Sequence, residues 1–411
     1  MGPEGRIRGV PRGDGMSVLF LQIDPVGIFR GGGSFLLLLV PLVIIHELGH
    51  FFAAKAFGIK VLEFGIGFPP RIKSLVWKRG ETEYTINWLP IGGFVRLLGE
   101  EDPTDPRSLA AAARWKRLTV MFAGVAMNVV LAVALLAIGL MIPRERDLSM
   151  AQVTEVAAGS PAAEARITGA MRDGSEPQQG LQPGDMVLEV EGHEVRNTGE
   201  LVYATRLNIG ETQKWVINRG GSTLTAHVYA RWHPPEGQGP TGIRIGAPVV
   251  CGDIDAEGNP INCQLRYPFT ESVWYMPWEA FPKAVTSLAE TLILTKNEIQ
   301  VRIGGGGGAA DDQPAFTGPV GIADTTGNLI KEQGWRPLIE FSALLSLNLA
   351  IFNALPLPML DGGRMFFVLV EIIRGGRRIA PEKEALVHLT GFALLLLGVL
   401  IVTYFDIVRL V

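Results

Sequence analysis

The stretch His46-Glu47-Leu48-Gly49-His50 lies inside the apolar run of residues 35–57 and determines which fold we expect. Residues four apart on a helix share one face, so the two imidazoles can bind one metal ion. Glu47 is turned about 100° from His46 and can act as general base toward an attacking water rather than as a ligand. The spacing therefore predicts a zinc site with His46 and His50 as ligands and Glu47 as the base.

A chance match to this motif is the alternative. It arises in roughly one chain in a hundred of this length. Here the ionisable groups lie in an apolar segment, where they are costly and by default mark a functional site. The membrane context therefore favours the catalytic interpretation.

Length and composition favour a membrane enzyme with a water-exposed part. The chain has 411 residues, a formal net charge of −4 and a mean hydropathy of +0.25. This hydropathy is high for a wholly soluble chain. The sequence contains no basic stripe or nucleic-acid-binding motif, so we expect no nucleic-acid partner.

Four segments approach the ~20 apolar residues that a bilayer requires, and they predict a polytopic α-helical membrane protein. The third span carries Glu340, Asn348 and Asn353, which are costly unless they face a protein interior and so indicate a site. The predicted spans are residues 35–57, 119–142, 338–355 and 386–404.

Lysine and arginine in the connecting loops predict the orientation. Ten lie between the first two spans and five between the last two, and the positive-inside rule places such loops in the cytoplasm. Both termini and the segment 143–337 are then extracytoplasmic, and the metal site faces the cytoplasmic side of an inner or plasma membrane. Arg6, Arg8 and Arg12 argue mildly against this orientation, and a start at Met16 would remove them.

A second polar group follows the third span, in Asn353-Ala354-Leu355-Pro356-Leu357-Pro358-Met359-Leu360-Asp361-Gly362-Gly363. The prolines end a helix and the glycines allow a tight turn. Asp361 is thereby placed at the membrane border, where a carboxylate can complete a tetrahedral zinc site. Alone, this pattern is more often an ordinary turn. Its occurrence together with the histidine motif favours a ligand.

These motifs resemble the site-2 protease family (peptidase family M50), in particular the bacterial regulator-of-sigma-E-type intramembrane proteases. The resemblance covers nearly the whole chain. It rests on five motifs in order: His46-Glu47-x-x-His50, Pro90-Ile91-Gly92-Gly93-Phe94-Val95, Phe122-Ala123-Gly124 with Asn128, Gly318-Pro319-Val320-Gly321-Ile322, and Asn353-x-Leu355-Pro356-x-Pro358-x-Leu360-Asp361-Gly362-Gly363.

The resemblance implies zinc ligation by His46, His50 and Asp361, with Glu47 as base. It also implies that Asn348 and Asn353 lie near the site and help to hold the substrate; helix packing through interhelical hydrogen bonds is the alternative role. The implied substrates are single-pass membrane proteins, such as an anti-sigma factor already cut outside the membrane, or remnant signal peptides.

Residues 58–118 are too polar to span, yet residues 83–88 alternate as a strand does, after a Lys78-Arg79-Gly80 turn. We expect a small membrane-associated β element whose edge could hold an unwound substrate by strand addition, as the family also suggests. An ordinary cytoplasmic hairpin is the alternative.

Residues 151–230 resemble one extracytoplasmic PDZ domain, a β-rich module that binds extended peptides. The resemblance rests on Gly159-Ser160-Pro161-Ala162 and on Gly180-Leu181-Gln182-Pro183-Gly184-Asp185. Residues 166–179 form an insert between these motifs, which puts the shape of the peptide groove in doubt. A gate that admits only trimmed substrates is a hypothesis for this domain.

The extracytoplasmic insert 231–337 contains the only two cysteines, Cys251 and Cys263, which could form a disulfide. A calcium loop beginning at Asp253 is rejected because its twelfth position is Gln264. Apolar residues at helical spacing in 278–303 predict an amphipathic helix on the membrane surface, followed by the linker 304–308.

The remaining segments are a tail of residues 1–34 and a cytoplasmic loop of residues 364–385. Surface or core roles are expected for the histidines without partner motifs, His193, His227, His233 and His388.

Two rivals to an intramembrane protease remain. A membrane-tethered zincin of the soluble type would usually find its third ligand downstream on the same domain, whereas Asp361 lies on another apolar segment. A non-catalytic PDZ scaffold would have no need of Glu47 or the two histidines.

Overall fold

The structure, a computed structural model, describes residues 25–100, 102–254, 260–266, 269–303 and 318–410. The chain forms two compact units. The first comprises the parts of the chain before Leu140 and after Ala315, and the second is Leu140–Ala315. The predicted tail up to residue 24 and the predicted linker 304–308 lie outside the described residues.

The described residues form eight helices and thirteen strands. In chain order the elements are α1 (Pro25–Ala56), β1 (Val61–Arg79), β2 (Thr82–Leu97), α2 (Arg114–Met141), β3 (Arg144–Asp147), β4 (Ala151–Val156), β5 (Arg166–Thr168), β6 (Met186–Val190), β7 (His193–Glu194), α3 (Thr198–Leu207), β8 (Thr212–Arg219), β9 (Ser222–Tyr229), β10 (Ile243–Gly246), β11 (Val249–Ile254), β12 (Pro260–Leu265), β13 (Thr270–Val273), α4 (Pro277–Ile303), α5 (Pro319–Gln333), α6 (Pro337–Ala354), α7 (Asp361–Ile373) and α8 (Pro381–Leu410).

Among the described residues, four helices are long and apolar enough to cross a membrane. Each contains or closely matches one predicted span, so the described helices fit a membrane protein. The four stretches are Gly32–Ala56 in α1, Arg114–Met141 in α2, Pro337–Ala354 in α6 and Glu382–Val408 in α8.

The first two spans approach each other closely because glycines lie at their contact. A Cβ atom added at Gly49 of α1 would lie 2.3 Å from the backbone oxygen of Ala123 on α2. One added at Gly124 would lie 2.4 Å from the imidazole of His50. Small residues let membrane helices pack with their backbones in near contact. The glycine of the histidine motif therefore sets the spacing of the two helices.

The polar region between these spans forms an antiparallel sheet of β1 and β2, in which β1 pairs with both halves of β2. Ile66 lies opposite Gly93 on one side and Ile86 on the other. Buried Glu63 holds the strands together, since Arg71 and Arg96 reach it at 2.6 and 3.0 Å. The last part of β2 is thereby brought beside α1.

A buried ion cluster ties the start of α2 to the end of α7. Arg117 donates to Glu371 at 2.7 Å, and Arg114 donates to the same carboxylate at 3.2 Å. Burial by itself raises the pKa of Glu371, but the hydrogen bonds and charges of these arginines prevail and hold the pKa below its usual value. The carboxylate is therefore ionised at neutral pH, and the cluster fixes α7 against α2.

The second unit is built around a seven-stranded sheet with the order β10-β4-β6-β8-β9-β5, in which β7 pairs with β6. Its core is closed by α3 and contains the fully buried Trp215. Arg219 and Asp185, the last residue of the motif that begins at Gly180, form a buried ion pair at 2.7 Å. The sheet includes β10 and so extends past the boundary at residue 230 that the sequence predicts.

Beyond β10 the second unit contains the β11–β12 strand pair, β13, which pairs with β3, and the predicted helix. Cys251 and Cys263 lie directly opposite each other in the β11–β12 pair, and their disulfide stays a prediction. The predicted helix at 278–303 is α4. It packs against α3, since the Tyr203 hydroxyl donates to Glu290 at 2.6 Å and Asn297 donates to the carbonyl of Leu207 at 3.1 Å.

We expect Gly49→Ala to lower the stability of the protein by about 1–3 kcal/mol, because the added methyl group overpacks the α1–α2 contact. The midpoint of thermal unfolding in detergent micelles measures this. Gly33→Ala is the matched control, since nothing lies within 4 Å of a Cβ atom there. Equal effects of the two substitutions would contradict the close contact.

Candidate metal centre

His46 and His50 lie one turn apart on α1 and point to the same place. Both side chains are buried, and their Nε2 atoms are 3.2 Å apart. The His50 Nδ1–H donates to the carbonyl oxygen of Val120 on α2 at 2.8 Å. In the neutral ring this leaves a lone pair on Nε2, so both the direction and the tautomer of His50 suit a metal ligand.

Asp361 joins the two histidines from the other end of the chain. It is the first residue of α7, which follows the turn made by Pro356 and Pro358 after α6. Its Oδ2 lies 3.0 Å from His46 Nε2 and 3.1 Å from His50 Nε2. The structure thus brings together the three side chains that the sequence predicts as metal ligands.

The geometry of these three atoms fits a zinc ion. In a tetrahedral site with bonds of about 2.0–2.1 Å, neighbouring ligand atoms are about 3.3–3.4 Å apart. The observed triangle has edges of 3.0, 3.1 and 3.2 Å. Two imidazole nitrogens and a carboxylate oxygen are a donor set that suits a zinc ion, and here the three atoms lie within 3.2 Å of one another.

Asn128 of α2 lies beside His46 and orients its ring. Its side-chain amide lies 3.2 Å from His46 Nδ1, and its Oδ1 has no hydrogen-bond partner although it is buried. When Nε2 binds a metal, Nδ1 carries the proton and needs an acceptor. The two amide positions of asparagine are alike in shape. Turning the Asn128 amide places Oδ1 where it accepts that proton.

Glu47 lies in the same cavity, on the side of the sheet. Its Oε2 accepts a hydrogen bond of 3.0 Å from the backbone N–H of Val95 on β2. The cavity has a volume of about 260 Å³. Besides the three ligands and Glu47, its lining includes Phe94, Val95, Glu100, Asn353 and Arg364. A carboxylate outside the group of three candidate ligands therefore faces the space beside them.

The two asparagines of the third span differ in their surroundings. Asn353 lines the cavity, and its Nδ2 donates to the carbonyl of Leu349 on its own helix at 2.9 Å. Asn348 is half-buried and is not among the described residues that line the cavity. Contact with substrate stays a prediction for both, and the geometry favours Asn353.

Sequence reasoning did not assign roles to Asn128, to Gly124 or to the carbonyl of Val120. Gly124 and Asn128 lie four apart and therefore on one face of a span. A glycine and an asparagine on one face of an otherwise apolar helix were the available signal. The carbonyl of Val120 carries no sequence signal, because every residue has one.

The chain is similar in sequence to known proteins. A model of peptidase family M50 matches residues 34–398. A protein of Clostridium perfringens is 33% identical over 372 residues, which cover 89% of this chain and 95% of that protein. The zinc metalloprotease RasP of Oceanobacillus iheyensis is 27% identical over 459 residues, 92% of this chain and 98% of the relative. The regulator of sigma-W protease RasP of Bacillus subtilis is 28% identical over 461 residues, with the same coverage.

We expect Asn128→Leu to weaken zinc binding about 10–100-fold, the usual effect of removing an outer partner of a metal-binding histidine. Competition with a chromophoric chelator measures the affinity. Asn128→Asp retains an acceptor and should bind zinc more tightly than the leucine variant. Wild-type affinity in the leucine variant would show that His46 does not depend on Asn128.

Proposed function

The chain belongs to peptidase family M50, the site-2 protease family, and is a zinc metalloendopeptidase; from this membership we propose that it cleaves single-pass membrane proteins within their transmembrane segments. One observation carries the proposal. The candidate ligands meet between a helix long enough to cross a membrane and the turn that follows another such helix.

In the proposed site His46, His50 and Asp361 hold the zinc ion. Bound zinc supplies a Lewis acid that polarises the scissile carbonyl and makes water a better nucleophile at neutral pH. Glu47 takes a proton from the attacking water as the water oxygen bonds to the carbonyl carbon. Glu47 then gives a proton to the amide nitrogen as the C–N bond breaks. The hydrogen bond from the Val95 N–H keeps the carboxylate turned towards the cavity.

The sheet beside Glu47 supports a mode of substrate binding. A transmembrane helix hides its carbonyls in internal hydrogen bonds, so the substrate must be unwound before it is cut. In an antiparallel strand the N–H and C=O of one residue point to the same side. The C=O of Val95 therefore faces the same side as the N–H that meets Glu47. A substrate strand added along this side would donate to that C=O and run past the base.

The proposed orientation follows the loop charges, with the metal site towards the cytoplasm and the second unit outside. The name of the Bacillus subtilis relative, a regulator of sigma-W protease, supports a regulator of a sigma factor as substrate. An anti-sigma factor already cut outside the membrane fits this class, and remnant signal peptides are a second candidate.

We propose that residues 151–246 of the second unit form a PDZ domain, because the sheet of this unit takes in β10. β10 is an end strand of that sheet, so among the described residues one of its edges has no strand partner and could receive a peptide by strand addition. The domain is proposed to exclude untrimmed substrates from the membrane site.

The alternatives fit the geometry less well. A membrane-tethered zincin would build its site within a water-exposed domain, whereas these ligands lie on and beside apolar helices. A scaffold would not need a base next to three converging ligands.

We expect Glu47→Gln to retain zinc and to lower kcat for a single-pass membrane substrate by about 10²–10⁴-fold, the range for loss of a general base. Zinc content and product formation are measured together on purified protein, and chelation should abolish wild-type cleavage. Glu81→Gln, at an exposed turn where Glu81 pairs with Arg107, is the matched control. Wild-type rates in the Glu47 variant would refute its role as base.

Replacing residues 151–246 with a short flexible linker should allow untrimmed substrate to be cut, because the proposed gate is gone. Cleavage of trimmed substrate and zinc content should stay at wild-type levels. Adding Glu47→Gln to this variant should stop both reactions, which shows that the products come from the same site. Unchanged selectivity would remove the gate hypothesis.

A further inference from the structure

The last span carries a side chain that contacts the turn leading to Asp361. His388, near the start of α8, accepts at Nδ1 a hydrogen bond of 2.9 Å from the backbone N–H of Met359. Its ring is buried and packs against Phe367 of α7, with the centroids 5.3 Å apart. His388 therefore touches both the turn before Asp361 and the helix that begins with it. The sequence predicted only a surface or core role for this histidine.

The turn makes hydrogen bonds of its own, from Leu357 to Leu355 and from Leu360 to Leu357, but Met359 is held from outside it. Met359 has a φ of 73°, a left-handed conformation that residues with a side chain rarely adopt and that persists only where the surroundings hold it. Pro356 and Pro358 have no N–H groups with which to anchor the segment. The bond from Met359 to His388 thus fixes the backbone two residues before Asp361.

A second contact lies beside the first on the same face of α8. Gly391 follows His388 by three residues, and a Cβ atom added there would lie 2.1 Å from Cβ of Pro358. Residues three apart on a helix are neighbours on its surface. On one face of α8, His388 therefore accepts the hydrogen bond from Met359, and Gly391 beside it leaves room for Pro358.

The protonation of His388 suits this contact. Nδ1 can accept only while the ring proton is on Nε2. The carboxylate of Glu384 lies 3.9 Å from Nε2, one turn earlier on the same helix. This carboxylate thus lies on the side of Nε2, which carries the ring proton while Nδ1 accepts from Met359.

We propose that His388 and Gly391 form a seat on α8 that sets the position of Asp361, which makes His388 a positioning residue for zinc binding. The inference rests on the proposed function, in which Asp361 is a ligand. It couples the last span to the metal site, although α8 contributes none of the three candidate ligands. Loss of an outer partner typically weakens metal binding about 10–100-fold.

Zinc affinity of the purified full-length protein, measured by competition with a chromophoric chelator, tests the seat. His388→Leu should bind zinc about 10–100-fold more weakly. His388→Asn should restore most of the affinity, because its Oδ1 can accept near the position of Nδ1. Thermal unfolding is recorded for each variant. If His388 served packing alone, the leucine variant would unfold earlier but bind zinc as the wild type does.

A glycine pair on the same helix gives an independent test. Gly391→Ala should weaken zinc binding, because its methyl group displaces Pro358 and the turn. Gly398→Ala is the matched control, since nothing lies within 4 Å of a Cβ atom at that position. Equal zinc affinities of the two variants would overturn the seat, and this holds even if His388→Leu fails to fold.

Asp361→Asn separates failure of this inference from failure of the proposed function. If Asp361→Asn binds zinc as tightly as the wild type, the proposed ligand set is wrong. If Asp361→Asn weakens binding while His388→Leu and Gly391→Ala do not, the ligand set stands and the seat is refuted.

Discussion

Three electron-rich atoms held 3.0–3.2 Å apart in a buried place are the constraint on which the first unit depends. For these three atoms to act together on one metal ion, their side chains must be held in place by partners of their own. The hydrogen bonds behind the rings, from His50 to Val120 and between His46 and Asn128, do this for α1. The ion cluster at Glu371 holds the far end of α7.

The close approach of α1 and α2 follows from the same constraint. A histidine reaches a backbone carbonyl on the next helix only when the two helix axes are near each other. Gly49 and Gly124 leave the necessary space, and Gly124 lies directly against the two rings. Helix packing thus depends on the same residues as the hydrogen bonds behind the histidines, because a larger residue at either position would disturb both.

The sequence predicts those parts of the site that depend on local geometry. His46 and His50 follow from helical periodicity, and the four spans follow from apolar length. Asp361 required the joint occurrence of two motifs, since a turn alone gives no distance to a residue 315 positions away. Asn128 and His388 act through contacts made only in the tertiary fold. The addition of β10 to the sheet also went unpredicted, because pairing between distant strands leaves no local periodicity.

The proposed cleavage within the membrane needs water and an extended substrate, and a bilayer favours neither. For water, the cavity offers charged side chains in its lining, where Glu100 and Arg364 pair at 2.8 Å. For an extended substrate, the sheet offers the edge of β2 that lies beside Glu47. The hydrogen bond from the Val95 N–H to Glu47 joins this edge to the cavity. A strand aligned on that edge would lie at a fixed height relative to the base, so backbone pairing alone could select which peptide bond meets the water.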